Sequence, residues 1–144
     1  MTKSNPVRVG WRFFERIDGA LRSRNGACVW PEPAGSQPGA WVRHPGALVL
    51  CDSGLHDSPT VAGALTHRQG AILGRVESRG KYVDGAEEHA GKRTSAEMRV
   101  MALYSQRHVV ALAGAAAILV LPIFERARKN DCRPRAAVLA VIEW

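Results

Sequence analysis

Apolar positions fall into short clusters over the first two thirds of the chain and into one long run near its end. Arg12-Phe13-Phe14-Glu15-Arg16-Ile17 reads as a brief strand, closed by Asp18-Gly19, a dipeptide that favours tight reversals. Arg24-Asn25-Gly26 marks a second turn. Trp30-Pro31-Glu32-Pro33 is excluded from a central strand, because two prolines remove ladder donors. Ala34 to Gly39 has the make-up of a surface loop. Trp41-Val42-Arg43 and Ala47-Leu48-Val49-Leu50-Cys51 read as paired short strands on either side of His44-Pro45-Gly46. Ser58 and Pro59 suit the N-cap and N1 positions of a short helix, Thr60 to Thr66. Ala71 to Glu77 reads as a strand, with a turn near Arg79-Gly80 and a polar, exposed stretch from Asp84 to Arg93.

The pattern changes at Thr94-Ser95. Ser95 is a candidate cap for a helix with Met98 and Met101 or Ala102 on its inner face, continuing past Leu103. Val109 to Arg128 predicts a second helix, kinked or broken at Pro122. Asn130 to Pro134 forms a corner, where Asp131 can accept the next helix's first amides and pair with a nearby guanidinium. Pro134 then opens a last helix, Arg135 to Trp144, with Ala137, Leu139 or Ala140, and Ile142 facing inward. The expectation is an α+β protein. A small antiparallel or mixed sheet from residues 7–93 packs against helices from 94–144, and the two parts form one compact domain.

Composition narrows the class. With 144 residues and 46% of them apolar, the chain is long and apolar enough for a folded domain. Cys28, Cys51 and Cys132 are odd in number and lack CxxC spacing, and the first residues carry no secretory pattern. The expected setting is the cytoplasm, with reduced thiols. Val109 to Phe124 is the only long apolar run. At sixteen residues, six of them Ala or Gly, it falls short of the roughly 18–20 a bilayer demands. It is expected to be a buried helix in a chain that needs no membrane and no detergent.

Trp30-Pro31-x-Pro33, Gly39-Ala40-Trp41, Cys51-x-x-Gly54-Leu55-His56 and Arg75-Val76-Glu77 follow one another in a characteristic order. Leu121-Pro122-Ile123-Phe124-Glu125 and Asp131-x-Arg133-Pro134-Arg135-Ala136 close the series. From about Phe13 to Trp144 this order resembles a family of bacterial and phage proteins with no assigned activity. The helical tail also resembles immunity proteins of bacterial conflict systems. The Gly54-Leu55-His56-x-Ser58 turn is similar to one that ADP-ribosyltransferase-like folds place beside the nicotinamide pocket. The first resemblance carries no catalytic residues; the last implies NAD as a cofactor.

Chemistry in the sequence is sparse. There is no Gly-x-Ser-x-Gly, His-Glu-x-x-His, P-loop or Gly-x-Gly-x-x-Gly pattern. His56 is the one catalytic candidate, as a general base or a ribose contact, against a plain packed ring. Cys51, Asp52 and His56 are the closest approach to a metal set, without a further ligand pair. Glu77, Glu87, Glu88 and Glu143 are the available acids for a transferase. The net charge of +7 is carried at both ends: Arg8, Arg12, Arg16, Arg22 and Arg24, then Arg126, Arg128, Lys129, Arg133 and Arg135. Of these, all but Arg8 are taken as candidate binding residues. The sequence thus favours a non-enzymatic interaction module of the conflict type, without cofactor or metal. It would bind and neutralise a partner protein or nucleoprotein through a basic surface. The alternatives are an NAD-using ADP-ribosyltransferase-like enzyme around His56, and a nucleic-acid-binding accessory protein. Oligomeric state is left open.

Overall fold

A computed structural model describes residues 6–67, 70–86 and 91–143. The protein is α+β and divides into two compact units, Met1–Leu103 and Tyr104–Trp144. In the first unit β1 (Arg8–Ile17) reverses through Asp18 and Gly19 into β2 (Ala20–Arg22). Both turn residues have positive φ, 52° and 76°, the geometry that a two-residue reversal of matching twist requires. The chain continues through β3 (Val42–Arg43), β4 (Leu55–Asp57), α1 (Val61–Thr66), β5 (Ile72–Asp84) and β6 (Arg93–Tyr104). The sheet order is β2-β1-β5-β6-β3, with β4 also paired to β6.

The sheet curls. β1 runs antiparallel to β5 from Arg8 opposite Ser78 to Phe14 opposite Ile72. β4 runs antiparallel to β6, with Asp57 opposite Arg93. One residue past β4, Ser58 exchanges two 2.8 Å backbone hydrogen bonds with Trp11 of β1. Following β1, β5, β6 and β4 therefore leads back to β1. Phe14, Leu21, Trp30, Leu55, Val76, Met98 and Val100 fill the interior, with Phe14 and Trp30 edge to face at 5.4 Å. Gly74 has no side chain to offer because a Cβ there would run into the Phe14 ring.

Several expectations are corrected. Residues 94–104 are strand, not the start of a helix: Met98 and Val100 are both fully buried, and β6 is paired with β3, β4 and β5. Met98, Met101 and Ala102 fit a helical spacing as well as Met98, Val100 and Ala102 fit an alternating one. Long-range pairing decides between them. Val42-Arg43 does not pair with 47–51 but with Met98 and Glu97 of β6, while 47–51 leads into a tight turn bridged from Val49 to Ser53. The cap of α1 is Thr60, whose Oγ1 accepts the Gly63 N–H at 3.0 Å; Ser58 is committed to β1 instead. β5 runs straight through the expected turn, and Gly80 absorbs a left-handed residue at φ 81°. Glu87 and Glu88 lie outside the described residues.

The second unit holds α2 (Gln106–Ala127) and α3 (Arg133–Glu143). α2 is unbroken at Pro122, and only Gly114 and Leu121 along it are buried, so the expected buried helix is exposed. Val141 of α3 sits where a side chain at Gly114 would project. The sheltered positions of α3 are Pro134, Val138 and Val141, whereas Ala137, Leu139 and Ala140 are exposed; the Ile142 side chain and Trp144 lie outside the described residues. The corner forms as expected: Asp131 accepts the Arg133 N–H at 3.2 Å and its guanidinium at 2.9 and 2.7 Å. Arg135 donates two bonds to Glu125, tying α3 back to α2.

The curl of the sheet is locked where β4, β6 and β1 meet. Arg93, expected to be exposed, is 6% exposed, and Asp57 is 3% exposed. Arg93 Nε donates to Asp57 Oδ1 at 2.8 Å, and Nη2 donates to Asp57 Oδ2 and to the Val9 carbonyl at 2.6 Å each. A Cβ at Gly10 would overlap the carboxylate, so glycine is what lets β1 lie against the pair. Asp57→Ala leaves the buried guanidinium uncompensated and is expected to lower the unfolding free energy by about 3–5 kcal/mol. Urea titration checks this; a loss under about 1 kcal/mol would show that the pair does not lock the sheet.

Candidate anion-binding cleft

An open cleft of about 720 Å³ lies beside the β4 edge of the first unit. Its cationic lining comes from four segments: Arg12 on β1, Arg24 in the turn after β2, Arg43 on β3, and Lys92 just before β6. His44, His56 and His67 also line it, as do Asp52 and the already bonded Asp57. Cations therefore outnumber carboxylates.

Arg12 faces the interior by strand alternation, between Gly10 and Phe14. Its guanidinium lies 4.6 Å from the Trp30 ring centroid and 5.1 Å from that of Phe14. It donates to Ser23 Oγ at 3.2 Å, the same oxygen that receives the Trp30 indole N–H at 3.0 Å. Among the described residues no carboxylate lies within ion-pair distance of it. Burial pulls its pKa down to about 10, opposed by Cys28 and Asp57. Burial in turn pushes the Cys28 thiol up.

His56 is fixed by the backbone. Its Nε2 accepts the Cys51 N–H at 3.0 Å, and Cys51 adopts φ 68°, a left-handed geometry uncommon outside glycine. The Cys51 thiol sits 3.2 Å from Lys92 Nζ. Burial, then Lys92 and Arg12, pull the imidazole pKa down to about 4, against the carbonyls of Val49 and Gly54. The loop from 44 to 53 is held by its own polar contacts: Ser53 Oγ donates to the Ala47 carbonyl at 2.8 Å and lies 2.9 Å from His44 Nε2.

The structure sorts the arginines proposed from the sequence. Arg12 and Arg24 line the cleft. Arg16 is bound bidentately by Glu32 at 2.8 Å. Arg22 donates to the Gly26 carbonyl at 2.9 Å, while its Nε is buried without a partner. Arg133 and Arg135 are bonded to Asp131 and Glu125, and Arg126, Arg128 and Lys129 are exposed in the second unit. Glu77 is bonded to Arg99 at 2.6 and 2.8 Å and lies outside the cleft lining; the Glu143 side chain lies outside the described residues. Trp41 is covered by Arg79 and Arg99, 4.0 and 4.6 Å from its ring centroid. Among the described residues no three His, Cys, Asp or Glu side chains form a ligand set. Arg43, Lys92, His44 and His67 were missed in the sequence, where they fall in three separate segments that only the fold brings to one cleft.

Comparison of the chain with protein-family models, curated proteins and solved structures gives no match. The resemblance seen in the sequence therefore rests on its motifs alone.

The pKa of His56 sets a pH dependence. Between about 4 and 6.5 the unfolded chain binds a proton at this position that the folded chain refuses, so stability falls as pH drops through that window. The urea midpoint is expected to decline from pH 7 to pH 5, and His56→Gln to flatten that decline. An identical slope in the variant would mean that the ring is free to titrate in the folded protein.

Proposed function

We propose that this chain is a non-enzymatic binding module. It engages an anionic surface of a partner protein or nucleoprotein in the cytoplasm, through the cleft lined by Arg12, Arg24, Arg43 and Lys92, and neutralises that partner by occupying it. The observation that carries the reading is the Arg12 guanidinium: half-buried, stacked on Trp30, fixed by Ser23 and without a carboxylate partner among the described residues. A cation already desolvated and held in place gains more from an incoming anion than a mobile surface arginine does. Arg24 and Arg43 extend the charge outward, the Arg43 side chain 81% exposed although it lies 3.7 Å from Glu97. The resemblance to conflict-system proteins agrees with a role in neutralisation.

Two features weigh against the NAD-dependent transferase. His56 Nε2 is spent on the Cys51 amide, and Glu77 is spent on Arg99. The nucleic-acid reading shares the cleft and differs only in the polyanion it takes.

The test uses two labelled probes, an acidic peptide and a single-stranded oligonucleotide, each titrated at low and moderate salt. Peptide binding is expected to weaken steeply between about 50 and 200 mM salt, as multiple charged contacts do. Arg24→Glu with Arg43→Glu is expected to reduce it at least tenfold, roughly 1.4 kcal/mol, with the unfolding midpoint unchanged. Salt-insensitive binding that survives both substitutions would remove the cleft from the function. Strong preference for the oligonucleotide would replace the protein partner with nucleic acid. ADP-ribosyl transfer to a co-purified partner in the presence of NAD, lost in His56→Ala, would establish the enzyme instead.

A further inference from the structure

We infer that α2 crosses a lipid bilayer and anchors this chain at a membrane with anionic headgroups. The sixteen uncharged residues from Val109 to Phe124 are part of a longer helix: α2 is continuous through Pro122, from Gln106 to Ala127. Twenty-two residues at 1.5 Å each reach about 33 Å, against a hydrocarbon core of about 30 Å. No charged residue interrupts Val109 to Phe124. The charged side chains in its end turns, Arg107, Glu125 and Arg126, are placed to reach the interfaces along their own aliphatic stems.

A helix that is apolar on all sides is covered either by protein or by lipid. Here, among the described residues, protein buries it only at Gly114 and Leu121. Leu112 is 68% exposed, Leu119 79%, Val120 58% and Ile123 61%, and Ile118 and Phe124 are also exposed. At 100° per residue these six positions spread over more than half the circumference. A seam between two copies of the chain would need a narrower stripe and would leave a polar face toward water. α2 has no such polar face between Val109 and Phe124. Gly114, one of its two buried residues, is a small position that admits Val141 of α3.

The ends supply the charge complementarity. The two carboxylates near the C-terminal end, Glu125 and Asp131, are bonded to Arg135 and Arg133. Arg126, Arg128 and Lys129 carry no ion pair among the described residues and are left to face phosphate groups, as is Arg107 at the other end. Pro122 is tolerated in such a helix, where the bundle or local adjustment satisfies the freed carbonyl.

The full chain, synthesised without cells in the presence of phosphatidylcholine–phosphatidylglycerol vesicles, is floated on a density gradient and then washed with high salt and alkaline carbonate. Wild type is expected to float and to resist both washes. Leu119→Arg with Ile123→Arg, both at exposed positions, is expected to cut the carbonate-resistant fraction at least about tenfold, since arginine at the centre of a span is strongly disfavoured. Recovery of wild type as a detergent-free monomer that does not float would overturn the proposal. So would release by high salt alone, or a soluble oligomer that the arginine variant dissociates into monomers. Wild type alone decides the flotation and wash outcomes, whatever the folding of the variant.

Discussion

The first unit is organised around one buried ion pair. Asp57 and Arg93 lie opposite each other on β4 and β6, and the Nη2 that donates to Asp57 also reaches the Val9 carbonyl on β1. Three strands far apart in sequence thus share one set of charge-assisted hydrogen bonds. Burying two charges is costly, and burial pushes the Asp57 carboxyl above its ordinary 3.8 against the pull of the Arg93 bonds. The arrangement persists because both Asp57 oxygens and the Arg93 Nε and Nη2 are bonded and because Gly10 leaves room for the carboxylate. Its value is specificity of register: a slip of one residue in β4 would turn Asp57 away from Arg93 and strand both.

That register also fixes the cleft. With Asp57 turned to Arg93, its neighbour His56 faces the other side of β4, where it takes the Cys51 amide and shapes the loop before the strand. The interior alternation of β1 that places Phe14 in the core also brings Arg12 beneath the cleft, stacked on Trp30. The cleft therefore inherits its charge from the same geometry that closes the sheet. On β5 and β6, Glu77 with Arg99 and Arg79 with Glu97 form salt-bridged pairs over Trp41. Those arginines have carboxylate partners; in the cleft Arg43 shares Glu97 at 3.7 Å, whereas Arg12 and Arg24 have no ion pair among the described residues. This contrast, more than the net charge, supports placing the anion in the cleft.

The second unit follows a different solvent logic. A helix exposing Leu112, Leu119, Val120 and Ile123 to water would cost several kcal/mol in unburied apolar surface. The same residues are favourable in hydrocarbon. A membrane anchor and a basic cleft serve one purpose under the proposed reading: they hold a binding module near the acidic surfaces where its partner is met.

Local chemistry was legible in the sequence wherever one or two residues dictate the backbone. The Asp18-Gly19 reversal, the Asn25-Gly26 turn, the exclusion of Trp30 to Pro33 from the sheet and the Asp131–Arg133 corner are all of this kind, and so is the α+β class. What alternates or repeats ambiguously was not legible. Met98 to Ala102 fits two periods, and only β3, β4 and β5 lying alongside make it a strand. The Pro122 site predicts a weakened helix but not whether neighbouring turns hold it together. The ion pair of Asp57 and Arg93 spans 36 positions, and nothing local at either residue marks the other. Likewise the arginines of the N-terminal region look alike as letters. Glu32 takes Arg16, the Gly26 carbonyl takes Arg22, and Arg12 is held by Ser23 and the Trp30 ring. A side chain's charge is written in the sequence, but whether that charge is already spent depends on which distant groups the fold brings within hydrogen-bond reach.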